Sequence, residues 1–134
     1  MTKQTETIQH IIDIPAKPEE VYDALIDSNK HSTFTDSAAT IDPVLGGKFF
    51  IMDGYIYGTN LKLSKGKRII QEWKTAEWPK GYLSSIVDFS FKAKKGGTEL
   101  VFIHSRVPSE QAKQYSEGWY QYYWEPLKKY FSKK

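Results

Sequence analysis

Three histidines are the side chains best suited to acid–base or metal chemistry in this sequence. They are His10, His31 and His104, and no pair has the i, i+4 spacing that places two imidazoles on one helix face. The spacing therefore predicts no metal site. His104 lies in a segment with strand alternation, on the same face as Phe102. It is either a polar anchor or acid–base group for a ligand, or a hydrogen-bonded core histidine near the end of a strand.

Motifs for nucleotide, acyl-transfer or thiol chemistry are absent from the sequence. No Gly-x-x-x-x-Gly-Lys-Ser/Thr occurs, and Gly46, Gly47 and Lys48 fall inside a hairpin pattern. There is no Gly-x-Ser-x-Gly elbow. The chain has no cysteine, which excludes disulfides, thiolate catalysis and cysteine-ligated zinc. We therefore predict a protein with no cofactor, no metal and no catalytic residues.

Aromatic residues are the most unusual feature of the composition. There are 4 Trp, 9 Tyr and 7 Phe in 134 residues. Rings of this size either line a cavity for a small apolar ligand or fill the space between elements as a packed core. The candidate cavity residues are Tyr57, Gln71, Trp73, Phe89, Phe91, Phe102, His104, Trp119 and Tyr123.

A second aromatic group lies in a predicted loop, where Trp78 and Tyr82 flank Pro79, Lys80 and Gly81. If this loop is exposed, its Trp and Tyr are candidates for contact with a protein partner, because these residues contribute much of the binding energy at interfaces. If Trp78 lies under a helix instead, it covers the core. The sequence leaves both interpretations open.

The charge distribution argues against a nucleic-acid partner. Positive and negative residues are interspersed, with 19 Lys and Arg against 16 Asp and Glu. The one local excess is Lys128, Lys129, Lys133 and Lys134, which suits a helix C-terminus rather than a basic stripe. Residues Met1 to Gln9 lack the apolar core of a signal peptide, and no apolar run is long enough to span a membrane. We expect a cytoplasmic protein with no membrane partner.

The first third of the sequence predicts one strand and two helices. Thr5 to Ile14 alternates loosely before Pro15, which is typical of a strand. Pro18 then opens a helix that ends near Asp27, since proline is favoured in the first helical turn. A short second helix is predicted around Lys30 to Phe34.

The middle of the sequence predicts an antiparallel meander, because glycines separate short segments of strand character. The predicted strands are Lys48–Met52, Tyr55–Leu63, Lys67–Thr75, Leu83–Ala93 and Thr98–Val107. Alternation places three sets of side chains on one inner face: Ile69, Gln71 and Trp73; Ser85, Val87, Phe89 and Phe91; and Leu100, Phe102 and His104. In the Tyr55–Leu63 strand, alternation places five residues on one shared face: Tyr55, Tyr57, Thr59, Leu61 and Leu63.

A long amphipathic helix is predicted from Ser109, its expected N-cap, to about Phe131. Pro126 is expected to distort it near Tyr122, and Gly118 to permit a bend or a close backbone approach. Its predicted buried side comprises Ala112, Tyr115, Trp119, Tyr122, Tyr123, Leu127, Tyr130 and Phe131. Together these elements predict an α+β helix-grip fold over residues 1–134: a curved antiparallel sheet of six or seven strands around a long C-terminal helix, with two short helices after the first strand.

An ordered series of short motifs runs through most of the chain: Phe34-Thr35-Asp36, Gly46-Gly47-Lys48-Phe49, Asp53-Gly54-Tyr55-Ile56-Tyr57-Gly58, Gln71-Glu72-Trp73, Trp78-Pro79-Lys80-Gly81-Tyr82, and Gly118-Trp119 to Trp124. This series resembles the C-terminal domain of the activator of the ninety-kilodalton heat-shock chaperone ATPase and its bacterial homologues, within the START-like superfamily. The resemblance covers about residues 8 to 131. The activator's separate N-terminal domain has no counterpart in this sequence.

The resemblance implies a non-enzymatic binding module whose partner is a heat-shock chaperone of the ninety-kilodalton class or another protein, with a role in stress. A first alternative is a carrier of a small apolar or aromatic ligand between the sheet and the C-terminal helix. A second is a cyclase- or hydrolase-type enzyme that uses His104.

Overall fold

The computed structural model describes residues 4–132 and contains one seven-stranded antiparallel sheet. The strands are β1 Thr5–Ile14, β2 Ala39–Ile41, β3 Lys48–Ile51, β4 Ile56–Ser64, β5 Arg68–Thr75, β6 Ser85–Lys94 and β7 Gly97–Pro108. Two helices, α1 Pro18–Ile26 and α2 Ser28–Thr35, follow β1. After a 3₁₀ turn at Ser109–Gln111, the C-terminal helix consists of α3 Ala112–Trp119, a π-helical segment Tyr120–Trp124 and α4 Glu125–Ser132.

The strand order is β1-β7-β6-β5-β4-β3-β2, so β2 to β7 form an antiparallel meander and β1 pairs with the last strand. The predicted α+β helix-grip fold is confirmed. The sequence did not predict β2, because a strand of three residues is too short to show alternation.

The inner face of the sheet follows the predicted alternation on three strands. Side chains such as Trp73 on β5, Phe89 on β6 and Phe102 on β7 are buried, and their neighbours along each strand are half-buried. This face packs against the C-terminal helix and the two short helices, and it forms the hydrophobic core.

Strand β4 departs from the prediction. Its buried positions include Ile56 and Asn60, and a register shift at Leu61 interrupts the pairing with β5. Gly58 also faces inward, where an added Cβ would lie 1.8 Å from the Glu72 carbonyl oxygen and 2.7 Å from the Phe49 ring. Tyr57 therefore lies on the outer face, and its predicted place in an inner cavity is wrong. The sequence misled here because the inward positions are a glycine and a polar amide.

The helices after β1 begin and end close to the predicted residues. Pro18 is the first residue of α1, and Asp27 follows its last residue. The Asp27 carboxylate then accepts a hydrogen bond of 2.9 Å from the Lys30 backbone N–H at the start of α2. The helix predicted around Lys30 is slightly longer than expected, at Ser28–Thr35.

The C-terminal helix is continuous but not uniformly α-helical. The distortion predicted near Tyr122 is a π-helical segment in which the Glu125 N–H bonds to the Tyr120 carbonyl, five residues back. Trp124 is consequently fully buried, whereas Tyr122 is 49% exposed. The predicted inward position of Tyr122 is therefore wrong. Ser109 is also not the N-cap, because the backbone passes through the 3₁₀ turn first.

No helix within residues 4–132 is both long and apolar enough to cross a membrane. Lys128 and Lys129 lie on exposed positions of α4, while the predicted contribution of Lys133 and Lys134 lies outside the described residues.

Candidate functional site

Aromatic rings fill the layer between the sheet and the C-terminal helix. The Trp119 ring lies 4.4 Å from that of Phe102 and 6.1 Å from that of Phe89, centroid to centroid. Trp119 and Trp124 stack at 5.6 Å with an interplanar angle of 19°. In a regular α-helix residues five apart point about 140° away from each other, so this stack depends on the π-helical segment.

His104 is the centre of a hydrogen-bond chain inside this layer. The Trp119 indole N–H donates to His104 Nδ1 at 3.1 Å. Because that nitrogen accepts, the proton of the neutral ring is on Nε2, which donates to Ser85 Oγ at 2.8 Å. Ser85 in turn donates to the Trp73 carbonyl at 2.8 Å. Both imidazole nitrogens are therefore used within the fold.

His10 repeats the same arrangement on β1. Its Nδ1 accepts from the Trp124 indole N–H at 2.9 Å, and its Nε2 lies 3.0 Å from Ser116 Oγ. A tryptophan of the C-terminal helix again holds the imidazole as an acceptor, with a serine hydroxyl on the other nitrogen. The Tyr120 ring covers His10 at a centroid distance of 4.3 Å.

His31 on α2 has the opposite tautomer and the same kind of partner. Its Nδ1 lies 3.0 Å from the Leu25 carbonyl, which can only accept, so Nδ1 carries the proton. Its Nε2 then accepts from the Tyr123 hydroxyl at 2.8 Å. All three histidines of the chain thus accept a hydrogen bond from an aromatic residue of the C-terminal helix.

Burial keeps these imidazoles neutral. It lowers the pKa of His104 to about 3 and that of His31 to about 4, and it also lowers the pKa of His10. Burial likewise raises the pKa of the Tyr123 hydroxyl. Of the two interpretations of His104, the structure supports the hydrogen-bonded core histidine, since neither nitrogen is available to a substrate. Among the residues described, no three His, Cys, Asp or Glu side chains form a group that could hold a metal ion.

The interior under the C-terminal helix has almost no free space. One void of about 10 Å³ lies among Gln71, Phe89, His31 and the helix. Such a volume is close to that of a single water molecule. The Gln71 side-chain amide donates to Asn60 Oδ1 at 2.9 Å, so the amide is part of the buried polar network. The rings around this void pack against one another as a core.

A larger apolar cleft opens at the side of the C-terminal helix and has a volume of about 100 Å³. Three of the predicted cavity residues, Trp73, Trp119 and Tyr123, line its inner wall. Other lining residues are Met52, Tyr55, Ile56, Gln114, Tyr115, Gly118 and Tyr122. The turn at its edge is strained, because Met52 and Asp53 have φ of 55° and 57°. The π-helical segment forms the opposite edge.

The other predicted site residues lie elsewhere. Phe91 packs against Tyr22 of α1, with a ring-centroid distance of 5.9 Å. Trp78 is half-buried, stacks on Tyr115 at 6.1 Å and donates its indole N–H to the Leu83 carbonyl at 3.0 Å. Tyr82 in the same loop is half-buried, while Leu83 is 75% exposed.

The sequence did not indicate His10, His31 or Trp124 as members of the network. The two histidines lie on separate elements with no spacing rule that links them to a distant helix. Trp124 was excluded from the buried side because a regular α-helical period was assumed. Pro126 was the only signal that the period could change.

One antiparallel sheet of seven strands closed by a single C-terminal helix defines a START-like helix-grip domain. The chain belongs to the family of activator of Hsp90 ATPase homolog 1-like proteins, whose model matches residues 15–132. This agrees with the resemblance seen in the sequence motifs.

Named relatives include the activator of 90 kDa heat shock protein ATPase homolog 1 of Homo sapiens, which is 32% identical over 114 residues. That match covers 85% of this chain and 33% of the relative. The Dictyostelium discoideum activator is 32% identical over 116 residues, covering 86% of this chain and 30% of the relative. The chain thus spans about a third of the length of these relatives.

Solved structures share the fold at low sequence identity. An HSP90 activator from Plasmodium falciparum superposes with a TM-score of 0.87 at 22% identity, over 94% of this chain and 96% of that chain. The Aha1 dimer from Colwellia psychrerythraea gives a TM-score of 0.78 at 19% identity, over 92% and 96% of the two chains.

Proposed function

We propose that this chain is a non-enzymatic binding module that contacts a protein partner, a heat-shock chaperone of the ninety-kilodalton class. The observation that carries the proposal is the packed interior, in which each histidine is hydrogen-bonded to a ring of the C-terminal helix and the void beside Gln71 and Phe89 is about 10 Å³. A partner must then be recognised at the surface. Family membership supports the choice of partner. A cytoplasmic location and a role in stress belong to the same proposal.

Binding and stimulation of ATP hydrolysis are separate parts of the proposal, because the chain corresponds to about a third of its relatives. We expect the purified chain to bind a purified chaperone of this class saturably in calorimetry. Steady-state ATP hydrolysis by the chaperone, measured in the same titration, tells whether this chain alone also stimulates turnover. An unrelated protein of similar size and charge is the control. Absence of saturable binding at any nucleotide state would contradict the proposal.

A second candidate function is the binding of a small apolar ligand, which the open cleft beside Gly118 favours. Its volume of about 100 Å³ is below the 300–1,000 Å³ typical of drug-sized ligand sites. An apolar cavity of about 150 Å³ binds benzene in another protein, so the cleft suits at most a single ring and not a sterol.

Thermal denaturation with indole, toluene and phenol tests this candidate. A ligand at 100 times its dissociation constant would raise the free energy of unfolding by about 2.7 kcal/mol. The absence of a shift with all three ring compounds at solubility-limited concentration would contradict it. The enzyme alternative gains no support, since His104 has no access to a substrate.

A further inference from the structure

The outer face of the sheet carries a groove distinct from the cleft beside the C-terminal helix. It crosses β3, β4 and β5, has a volume of about 340 Å³ and lies on the side of the sheet away from the helix. We define this outer groove by Lys48, Phe50, Tyr57, Glu72, Lys74 and Ser84, which line it.

Apolar side chains are exposed along the outer groove. Phe50 is 49% exposed and pairs across the strands with the half-buried Tyr57. Leu83, next to the lining residue Ser84, is 75% exposed, and its carbonyl is held by the Trp78 indole. Large apolar side chains gathered in this way are typical of an interaction site, because they gain free energy when a partner removes them from water.

The outer groove contains two lysines that have no ion-pair partner among the described residues. Two lysines and one glutamate line it, and within residues 4–132 neither Lys48 nor Lys74 has a carboxylate within salt-bridge distance. Lys48 donates to Thr59 Oγ1 at 3.2 Å instead. By contrast, Arg68 on the same face makes a two-point contact with Asp88, at 3.0 and 2.7 Å.

The exposed apolar side chains and the unpaired lysines indicate which kind of ligand fits the outer groove. An acidic segment would supply the carboxylates that Lys48 and Lys74 lack, and Glu72 would exclude a uniformly negative one close to it. A second copy of the chain would bring four lysines and only two glutamates together, so a self-paired groove would leave lysines without a carboxylate. A nucleic acid would require a basic stripe, which the mixed lining does not provide.

We propose that the outer groove binds an acidic segment of the protein partner, with one Phe or Leu side chain of that segment seated against Phe50 and Tyr57. Carboxylates on either side of this anchor contact Lys48 and Lys74. That this segment belongs to the chaperone rests on the proposed function. That the groove binds an acidic segment does not.

Fluorescence anisotropy with a labelled ten-residue peptide, a central Phe flanked by Glu and Asp, tests the groove. We expect saturable binding that weakens at least tenfold with Lys74→Glu or Phe50→Ser and is unchanged by Lys92→Glu. Lys92 is the matched control because it is an exposed lysine on β6 outside the groove. Peptides with Lys for the acidic residues, or Ala for Phe, should not bind. Equal affinity for wild type and Lys74→Glu, or tighter binding of a single-stranded oligonucleotide, would overturn the proposal.

The same variants titrated against the purified chaperone separate the two proposals. Loss of chaperone binding in Phe50→Ser and Lys74→Glu, but not in Lys92→Glu, supports the groove as its docking site. If the wild-type chain binds the peptide at the groove but does not bind the chaperone, the chaperone assignment fails and the groove stands. If the chaperone binds wild type and all variants equally, the groove proposal fails and the function stands.

Discussion

The two faces of one sheet differ in how completely their polar groups are satisfied. On the inner face, His10 and His104 each accept a hydrogen bond from a tryptophan of the C-terminal helix, and His31 of α2, which packs over this face, accepts one from Tyr123. Only Gln111 Oε1, among buried side-chain atoms of the described residues, has no hydrogen-bond partner. On the outer face, Lys48 and Lys74 have no ion-pair partner within the described chain, and Phe50 is half exposed.

This difference indicates that the inner face holds the C-terminal helix, whereas the outer face is the candidate for binding. Buried polar groups stabilise a fold only when they are paired, so the inner face is built to hold the helix and tolerates little change. The outer face, where Phe50 is half exposed and Lys48 and Lys74 have no ion-pair partner within the described residues, is the face on which we propose partner binding. His104, which the sequence left open as an acid–base group, is a hydrogen-bonded core residue in the structure.

The largest expected effect is acid destabilisation of the inner face. The folded pKa values of His104 and His31 lie near 3 and 4, below the value of about 6.5 for an unfolded chain. Below pH 6.5 the unfolded state takes up protons that the folded state cannot, so stability falls as pH falls. Each histidine contributes up to about 1.4 kcal/mol per pH unit. Urea denaturation at pH 7.5, 6.5, 5.5 and 4.5 measures the loss.

His10→Asn tests the contribution of the third imidazole, because the Asn side-chain oxygen takes the place of Nδ1, can accept from the Trp124 indole and does not titrate near neutrality. This variant should show a shallower dependence on pH than the wild type. A wild-type stability that is constant from pH 7.5 to 4.5 would show that the imidazoles are not held neutral in the fold.

The next largest effect is expected at the π-helical segment. Trp124→Ala should lower the free energy of unfolding by about 3–5 kcal/mol, because it leaves a cavity and removes the donor to His10. Tyr122→Ala, at the position that a regular α-helix would bury, should cost less than about 1 kcal/mol. Urea denaturation of both variants measures the contrast. A larger loss for Tyr122→Ala would mean that the segment is α-helical.

This contrast also shows where prediction from sequence ends. Alternation correctly placed Trp73, Phe89 and Phe102 inside, since strand parity is fixed by local geometry. It failed for Tyr57, because Gly58 and Asn60 give the inner side of β4 a polar appearance. Both depend on tertiary partners: the Phe49 ring excludes a side chain at Gly58, and the Asn60 amide donates to the Asp42 carbonyl at 2.9 Å.

The candidate site was less predictable than the fold for the same reason. Trp119 and Tyr123 were identified by helical period, but their hydrogen bonds to His104 and His31 join residues on different elements. The groove at Phe50 was not identified at all, because exposed apolar residues on one strand become a site only when neighbouring strands align them.

A smaller effect is expected for the hydroxyl of Tyr123. Tyr123→Phe removes the donor to His31 Nε2 without changing ring packing, and it should cost about 1–3 kcal/mol. Tyr122→Phe, which removes an equivalent hydroxyl from a half-exposed neighbour, should be within about 0.5 kcal/mol of wild type. Thermal denaturation at pH 7.5 compares them. Equal stability of the two variants would mean that the hydrogen bond from Tyr123 to His31 does not stabilise the fold.

The smallest effect is expected at the cleft beside the C-terminal helix. Gly118→Ala should raise the free energy of unfolding by up to about 1 kcal/mol, because alanine is the better helix former and the added Cβ lies at an ordinary 3.8 Å from the Tyr122 ring. Any indole or toluene binding should weaken, as the cleft becomes smaller. Thermal denaturation with and without these compounds checks both. A destabilised variant would indicate that the helix approaches the sheet more closely than described.

Long-range ¹H–¹⁵N NMR of the histidine side chains tests most directly whether Trp119, Trp124 and Tyr123 donate hydrogen bonds to the three imidazoles. At pH 7.5, His10 and His104 should be neutral with the proton on Nε2, and His31 should be neutral with the proton on Nδ1. His104 and His31 should remain so at pH 5.5. Three imidazoles that titrate together near pH 6.5 as exchanging tautomers would contradict the account.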